Sequence, residues 1–455
     1  MNSPRLTSLQ LLILDALAVG AAFNSVGWLR GVVVPGEWVV LPLLVPLLVI
    51  VVSLYLIDGY RPRTDMLSLD YASEHVITLL LSMLGMILLT FVIIPVGYSL
   101  QQSRAVVLIS FLALVPVTLS YRRWLYLARQ RYRRQQSLIF MGSAENCRDF
   151  ARECEKQNFT LPVIYTTLDA ISAPDAVSPE PIPFTDVLEK LDRRELIVEA
   201  IIIRESSQEF PPDISQRLMQ LYFEGVPTYT LELFHQVYWR KIPLYRLNQA
   251  WLFQEGFKIA REPIYERFKR LSDIILASAG LLLSSPVILI AAFAIWLEDR
   301  GQVFFFQKRI GRNRRLFSIV KLRTMRLQAT LGAKYTGVSD DRITRTGRFL
   351  RLTRIDEFPQ LWNVLRGEMS LIGPRAEWDL LVQEYERQIG CYHFRHLVKP
   401  GITGWAQVNY PYGANLEDTV RKLEYDLYYI RHFSFLLDAA IVLKTIHVIM
   451  FGKGR

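Results

Sequence analysis

Cysteine and histidine are scarce in this sequence, which has three cysteines and six histidines among 455 residues. The cysteines, Cys147, Cys154 and Cys391, are odd in number and lack a metal-ligand spacing, which argues against a disulfide framework and against a zinc site. His393 and His396 are three residues apart, but no HExxH-type motif surrounds them. We therefore interpret the cysteines as reduced thiols and do not favour a metal site at the histidines.

A glycine-rich nucleotide turn is also missing, although the middle of the chain has the pattern of a nucleotide fold. Short apolar strands alternate with helices from residue 137 to residue 231, which predicts a small parallel sheet with crossover helices. The turn at residues 141–146 has only Gly142 of the G-x-G-x-x-G motif that lets a backbone approach a pyrophosphate. We interpret residues 136–262 as a degenerate Rossmann-like α/β domain with a structural or regulatory role; cofactor binding is the less favoured alternative.

Acidic residues are outnumbered by basic ones, 43 against 53, and the net charge is +10. At the same time, 51% of the residues are hydrophobic. A nucleic-acid-binding protein could share this charge but not the long apolar runs, so we expect no nucleic-acid partner. A membrane protein with a basic cytoplasmic face has both properties.

Four apolar runs fill the first 120 residues, at 9–28, 38–57, 76–96 and 105–120. Each is near the ~20 residues that a helix needs to cross a bilayer, the last somewhat short. Asp15 and Asn24 lie in the first run and should face the interior of a bundle. No small-residue cleavage site follows this run, which argues against a removed signal peptide. Residues 1–135 are therefore predicted to form an N-terminal four-helix transmembrane bundle.

Arginines set the predicted orientation of this bundle. Those after the fourth run are Arg122, Arg123, Arg129, Arg131, Arg133 and Arg134; those between the second and third runs are Arg61 and Arg63; the other loops have Arg30 and Arg104. By the positive-inside rule, both ends of the bundle and everything after Arg122 face the cytoplasm.

A fifth apolar run, residues 274–296, is long enough to span but is interrupted at Ser284, Ser285 and Pro286. Proline breaks the helical hydrogen-bond ladder, and nearby serines can satisfy the freed carbonyl groups. A full span would also place the arginines that follow it outside the cell, against the positive-inside rule. We predict a re-entrant helix over residues 270–297; a fifth full span with a kink at Pro286 is the alternative.

The most informative segment is residues 348–375, which has an acidic pair, Asp356 and Glu357, at its centre. The arginines around the pair are Arg348, Arg351, Arg354, Arg366 and Arg375. An apolar helical face is predicted by the i, i+3, i+4, i+7 spacing of Phe358, Leu361, Trp362 and Leu365.

Pro359 places the start of this helix close to Asp356, because proline is tolerated only in a first turn. Helix N-termini favour negative charge and can hold phosphate, so we expect Asp356 to be ionised beside a phosphate site. Gly367 is well placed to end the helix, and residues 373–375 turn the chain back toward the arginines. The alternative is an acidic cap on a surface helix with solvated arginines.

Several ungapped motifs between residues 266 and 451 occur in the order of one family. They are Lys269-Arg270 with Asp273, Ser285-Pro286, and residues 307–311, 321–325, 341–344, 348–375 and 399–409. With these motifs the chain resembles the bacterial sugar transferases, also called polyprenyl-phosphate hexose-1-phosphate transferases or monotopic phosphoglycosyl transferases. Within them it is similar to the long, four-span, EpsB-type branch that initiates exopolysaccharide or O-antigen assembly. Arg354, Ile355 and Phe358 depart from that family's usual Ser-Leu or Thr-Leu and Leu.

The resemblance implies a mainly α catalytic domain over residues 263–455, with the re-entrant membrane helix and interfacial helices. This domain would transfer sugar-1-phosphate from a UDP-hexose, with glucose or galactose favoured, to undecaprenyl phosphate and release UMP. Asp356 would be the nucleophile of a covalent phosphosugar intermediate, and Asp356 and Glu357 would bind Mg²⁺. The resemblance also implies the bacterial inner membrane, with the catalytic domain on its cytoplasmic face; a homodimer is left open.

Other residues receive roles from the resemblance. Those expected to hold substrate phosphate are Arg351, Arg323, Arg375 and Pro374; structural pairing is the alternative for all but Arg351. Trp405 and Gln407 are candidates for the nucleotide side, with the protein core as the alternative for Trp405. Lys308 and Arg309 are expected near lipid headgroups, and residues 433–451 are expected to form an interfacial helix.

Two other kinds of protein were weighed. A membrane sugar-nucleotide dehydratase also combines four spans with an α/β domain. Tyr265 and Lys269 make a Y-x-x-x-K pair, as in short-chain dehydrogenases, which we interpret as coincidence because the glycine turn is missing. A dehydratase would need an intact glycine turn, and it leaves everything after Glu266 unexplained. A non-enzymatic membrane scaffold would leave Asp356 and Glu357 without a role.

Overall fold

A computed structural model describes residues 4–60, 64–92, 103–133, 136–157, 159, 161–167, 181–193, 195–204, 211–244, 263–326, 342–410, 413 and 415–451. By its internal contacts, the chain divides into two compact units, Met1–Trp239 and Arg240–Arg455. Some predictions lie outside the described residues: those on residues 93–96, Arg61, Arg63, Arg134 and Asp341.

Four packed helices form the N-terminal part of the first unit. They are α1 (Pro4–Leu29), α2 (Leu44–Leu56), α3 (Leu69–Val92) and α4 (Arg104–Arg133). Helices α1, α3 and α4 are long and apolar enough to cross a membrane, and the same holds for one helix of the second unit, among the residues described. Three of the four predicted spans are thus confirmed as long apolar helices.

The prediction of a ~20-residue second span at residues 38–57 was wrong. Helix α2 begins only at Leu44, after a 3₁₀ turn at Leu41–Leu43. Pro46 lies in the first turn of this helix, where a proline costs no helical hydrogen bond, and so favours a start close to Leu44. Ahead of the turn, the Asn24 side chain accepts from the Val39 N–H at 2.8 Å and donates to the Val39 carbonyl at 3.1 Å. Side-chain bonds therefore replace helical ones there.

Asp15 and Asn24 are fully buried in this bundle, as predicted. The Arg122 guanidinium donates to both Asp15 oxygens, Nη1 to Oδ1 at 2.7 Å and Nη2 to Oδ2 at 2.6 Å. The hydroxyls of Tyr60 and Tyr121 donate to the same carboxylate. Each Asp15 oxygen therefore has at least two partners, and Arg122 acts as more than an orientation signal.

The rest of the first unit is the predicted α/β domain. Its strands are β1 (Gln136–Met141), β2 (Val163–Thr167), β3 (Ile182–Pro183), β4 (Ile197–Ile203) and β5 (Thr228–Thr230). Its helices are α5 (Ala144–Lys156), α6 (Phe184–Asp192), α7 (Pro212–Phe223) and α8 (Leu231–Phe234), the last continued by a π-helical turn, His235–Trp239. All strand pairs are parallel, in the order β3-β2-β1-β4-β5. The predicted parallel sheet with crossover helices is confirmed.

The second unit is mostly helical. Its helices are α9 (Pro263–Asp299), α10 (Arg345–Thr353), α11 (Gln360–Arg366), α12 (Asp379–Gln388), α13 (Trp405–Asn409), α14 (Leu416–Arg431) and α15 (Phe435–Phe451). Its strands are β6 (Phe304–Ile310), β7 (Leu316–Leu322), β8 (Ser370–Ile372) and β9 (Gly401–Thr403). Strands β6 and β7 form an antiparallel hairpin, and β8 pairs with β9 in parallel.

A short segment at the start of the second unit is built into its core. Ile242 is fully buried in the main apolar cluster. Its N–H donates to the Glu424 carbonyl at 3.0 Å, and the buried Lys241 ammonium lies 3.6 Å from the Glu424 carboxylate. The Trp405 indole donates to the Arg240 carbonyl at 2.9 Å. Residues 240–244 are therefore part of this unit's hydrogen-bonded interior.

Candidate active site

Helix α9 is fixed to the second unit at both ends. Near its start, Arg270 donates to the last carbonyls of α11, at Val364 (2.5 Å) and Leu365 (2.6 Å). At its end, Asp299 pairs with Arg323, which follows β7, with Nη1 at 2.7 Å from Oδ2. Both ends of this long apolar helix thus contact the same compact unit.

The middle of α9 is apolar and exposed. The side chains of Leu283 and Ile290 are 79% and 71% exposed. The predicted break at Ser285 and Pro286 is not found, because α9 is one continuous helix from Pro263 to Asp299. Pro286 lies inside it and cannot donate to the Leu282 carbonyl four residues earlier. The Ser285 hydroxyl donates to this carbonyl at 2.8 Å, as the sequence predicted for a freed group.

Helix α10 leads directly to the acidic pair. Thr344 caps the helix, and a Cβ added at Gly347 would lie 2.2 Å from the Thr324 carbonyl oxygen, so only glycine allows this close approach. The helix ends at Arg354, which has a left-handed backbone (φ 59°, ψ 13°) that is uncommon for a non-glycine residue. The chain then enters the 3₁₀ turn Ile355–Glu357, which carries both carboxylates.

The pair therefore lies one turn ahead of α11 rather than inside its first turn. Gly367 ends α11 with φ 82°, as predicted. The buried stripe of this segment consists of Asp356, Pro359, Gln360, Asn363 and Val364.

The residues of the predicted apolar face are not the ones that form this buried stripe. Trp362 is 53% exposed, and Leu361 and Leu365 are only partly buried. The polar face turns inward because Asn363 hydrogen-bonds to β7: its amide donates to the Ser318 carbonyl at 2.8 Å and accepts from the Val320 N–H at 3.0 Å.

Glu357 is held by cations. The Lys321 ammonium of β7 donates to its Oε1 at 2.8 Å, and the Arg375 guanidinium lies 3.6 Å from the same oxygen. Burial alone would raise the pKa of Glu357, but Lys321 and Arg375 outweigh it and hold that pKa well below its usual range. Burial lowers the pKa of Lys321, an effect that Glu357 opposes. Glu357 is therefore ionised at neutral pH.

Asp356 behaves differently from its neighbour. Its side chain is buried, and no described residue hydrogen-bonds to its Oδ1. Burial and the adjacent Glu357 charge raise its pKa from 3.8 to about 6, although Lys321, Arg351 and Arg354 oppose the shift. The expectation that a helix end favours its ionised form was wrong, because the cost of burial exceeds the attraction of the cations. The result is a carboxylate that is ionised at pH 7 but poorly solvated.

The structure brings some of the proposed phosphate-binding residues to this pair and not others. Arg351 acts on the Asp356 charge, and its Nε also donates to Thr324 Oγ1 at 2.8 Å. Arg375 reaches Glu357, so the chain does turn back at residues 373–375 as predicted. Pro374 is buried, and its carbonyl accepts from the Gly401 N–H. Arg323 instead pairs with Asp299, which is the structural alternative.

The remaining candidates lie in other contacts. Trp405 is 1% exposed in the main apolar cluster, which matches the core alternative. The Gln407 amide donates to the Ile402 carbonyl at 3.2 Å. Lys308 is exposed, whereas Arg309 donates to the Ala376 carbonyl at 3.0 Å. The Y-x-x-x-K pair has a partner of its own, since Tyr265 and Lys269 both donate to Asp438.

Sequence reasoning missed two residues near the pair. Lys321 was noted only as part of a motif, yet it is the Glu357 partner. Gln360 was not singled out, yet it lies on the buried stripe between Asp356 and Asn363. A usable signal was present, because polar residues at 356, 360 and 363 follow helical spacing as regularly as the apolar ones.

The second unit matches a known family. The family model described as "Bacterial sugar transferase" matches residues 264–452. A Bacillus subtilis (strain 168) protein named "Uncharacterized sugar transferase EpsL" is 39% identical over 188 residues, which cover 41% of this chain and 89% of that protein.

Two longer relatives have names that state an activity. The Aeromonas hydrophila "UDP-N-acetylgalactosamine-undecaprenyl-phosphate N-acetylgalactosaminephosphotransferase" is 37% identical over 269 residues, 59% of this chain and 63% of that protein. The Klebsiella pneumoniae "UDP-glucose:undecaprenyl-phosphate glucose-1-phosphate transferase" is 41% identical over 182 residues, 39% of each. The chain thus spans less than two thirds of the length of each of these two relatives.

Proposed function

The chain belongs to the bacterial sugar transferase family, and we propose that it transfers sugar-1-phosphate from a UDP-hexose to undecaprenyl phosphate. One observation carries the proposal. Asp356 is a buried carboxylate with one oxygen that has no hydrogen-bond partner among the described residues, and Lys321, Arg351 and Arg354 act on its charge. A poorly solvated carboxylate beside fixed cations is suited to attack a phosphoryl group.

In the first step, an Asp356 oxygen attacks the sugar-linked phosphorus of the UDP-hexose. A bond forms between that oxygen and phosphorus, the bond from phosphorus to the bridging oxygen breaks, and UMP leaves with the bridging oxygen. The guanidinium groups of Arg351 and Arg375 would stabilise the charge on the phosphoryl oxygens. The product is a phosphosugar covalently bound to Asp356.

In the second step, a phosphate oxygen of undecaprenyl phosphate attacks the same phosphorus. The Asp356–phosphorus bond breaks, which regenerates the carboxylate and yields an undecaprenyl-diphosphate sugar. One site can serve a soluble donor and a membrane-bound acceptor in turn only if it lies at the membrane surface.

Helix α9 supports such a position as a re-entrant helix over residues 270–297. Its exposed apolar middle suits lipid, while both of its ends contact one polar unit that could not enter hydrocarbon. We place the enzyme in the bacterial inner membrane with this unit on the cytoplasmic face. In a variant without native cysteines, a cysteine at Arg300 should resist labelling from outside intact cells; ready labelling would favour a full span.

Mg²⁺ is the proposed cofactor. The described residues contain no group of three His, Cys, Asp or Glu side chains that could hold a metal. Mg²⁺ is usually held by one or two carboxylates together with substrate phosphates, and the unpartnered Asp356 oxygen fits such a site. Asp356 and Glu357 would hold the ion, which would neutralise phosphate charge when bound.

The hexose is proposed from the named relatives, which include UDP-glucose, UDP-galactose and UDP-N-acetylgalactosamine enzymes. Glucose or galactose remains our favoured donor sugar, and the product would initiate exopolysaccharide or O-antigen-type assembly. A screen of UDP-sugars that measures UMP release would identify the donor.

The test uses membranes containing the full chain and UDP-hexoses labelled in the sugar. We expect label in the lipid phase and an equal amount of UMP, and loss of both by ~10⁴-fold or more in Asp356→Asn. Asp356→Asn is nearly isosteric, so the loss would report the carboxylate itself. Full transfer by Asp356→Asn would refute the nucleophile assignment, and absence of lipid label with every UDP-sugar would refute the function.

A further inference from the structure

Gln360 is a buried side chain whose amide has an unmet hydrogen bond. The residue is 3% exposed, and no described residue accepts from its Nε2. A glutamine amide nitrogen has two N–H donors, and leaving them buried without an acceptor destabilises a fold. Such groups are rare in native proteins, and each asks for an explanation.

The position of Gln360 in the chain places its amide on the same side of the segment as the Asp356 carboxylate. Gln360 lies on the same buried stripe as Asp356, one turn further along, and Asn363 is the next polar residue on that stripe. Asn363 is bonded to Ser318 and Val320 of β7, immediately before Lys321. Asn363 therefore faces β7 close to Lys321, and Gln360 is the buried residue of the stripe between Asp356 and Asn363.

Two unpartnered polar atoms thus share the stripe, the acceptor Asp356 Oδ1 and the donor Gln360 Nε2. They are of opposite type, and a phosphoryl group bound to Asp356 offers oxygens that a donor can contact. We propose that the Gln360 amide donates a hydrogen bond to an oxygen of the phosphoryl group that Asp356 receives. This makes Gln360 a substrate-contacting residue, and it rests on the proposed function.

The test variant is Gln360→Met, which keeps the length of the side chain and removes both donors. We expect kcat/KM for the UDP-hexose to fall about 10- to 100-fold, as for loss of one hydrogen bond to a charged group. The melting temperature should stay equal or rise, because an unpaired buried amide is removed. A purely structural glutamine would instead give a lower melting temperature and unchanged kcat/KM per folded molecule.

Asn363→Leu is the matched control, since it removes a buried amide of the same stripe that has its partners. It should lower the melting temperature, opposite to Gln360→Met. Gln360→Glu tests the donor role, because a carboxylate beside phosphate repels it; we expect a loss at least as large as in Gln360→Met. Gln360→Asn is the second variant should Gln360→Met fail to fold, and its shorter amide should also lower kcat/KM.

The results of these assays distinguish a failure of the proposed function from a failure of the inference on Gln360. If the wild-type chain releases no UMP from any UDP-hexose, the proposed function fails. If the wild type is active and Gln360→Met or Gln360→Glu is equally active, the inference on Gln360 is overturned while the function stands.

Discussion

Asp15 in the membrane bundle and Asp356 in the second unit are both buried aspartates, but their surroundings differ. Both Asp15 oxygens accept from Arg122, and two tyrosine hydroxyls donate to the same carboxylate. Asp356 keeps one oxygen without a described partner. The Asp15 charge is therefore compensated within the fold, whereas the unfilled hydrogen-bonding capacity of Asp356 among the described residues fits its proposed role as nucleophile.

The largest effect that would test this comparison is expected at Asp15. Arg122→Met leaves its carboxylate buried without its cation and should lower the free energy of unfolding by about 3–5 kcal/mol. Transfer per folded molecule should not change. Denaturation in detergent with a parallel transfer assay measures both quantities.

The double variant Asp15→Asn/Arg122→Met serves as its control, because removing both charges should restore much of the stability. A large loss of transfer in Arg122→Met without loss of stability would contradict a structural role for this pair.

The next effect is expected at Lys321, which donates to Glu357 in the proposed active site. Lys321→Met should lower kcat/KM for the UDP-hexose by about 100-fold, because a cation beside the reacting phosphoryl group is lost. Ser318→Ala, an exposed side chain on the same strand, should have no effect. Activity within twofold of wild type in Lys321→Met would show that the cation is not needed.

The smallest effect concerns stability at Asp356 and depends on pH. Its pKa is raised to about 6 in the folded state, so the folded state holds this proton more tightly than the unfolded chain. Stability is therefore lost as the pH rises from about 4 through 6, and the ionised group destabilises the fold above that. Asp356→Asn should raise the free energy of unfolding by about 2 kcal/mol at pH 7.5 and by almost nothing at pH 4.

Unfolding curves of the wild type and Asp356→Asn at the two pH values measure this difference. If Asp356→Asn is less stable than wild type at pH 7.5, the ionised Asp356 carboxylate contributes to stability, as the Asp15 carboxylate is expected to do, and the comparison fails.

Much of the fold followed from periodicity and composition. The parallel sheet of the first unit was predicted from the alternation of short apolar strands with helices over residues 137–231. The second span was misjudged because hydropathy counts residues 38–40 as apolar and cannot detect that Asn24 replaces their helical bonds.

The sequence predicted the residues of the candidate site but not their electrostatics. Asp356 and Glu357 are adjacent, yet one pKa rises and the other falls, because β7 brings Lys321 to Glu357 from 36 residues away. Helical spacing alone also could not decide which face of α11 turns inward, since that depends on the bonds of Asn363 to β7. Both features arise from tertiary contacts.

The docked segment at residues 240–244 bears on how fragments of this protein should be designed. The family match begins at residue 264, but a fragment cut there would lose Ile242 from the apolar core and leave the buried Glu424 without Lys241. Such a fragment would have a cavity in its core, and the buried Glu424 would keep only Arg421 as a charged partner among the described residues. A fragment that keeps these interior contacts therefore begins at residue 240, well ahead of the boundary that sequence similarity marks.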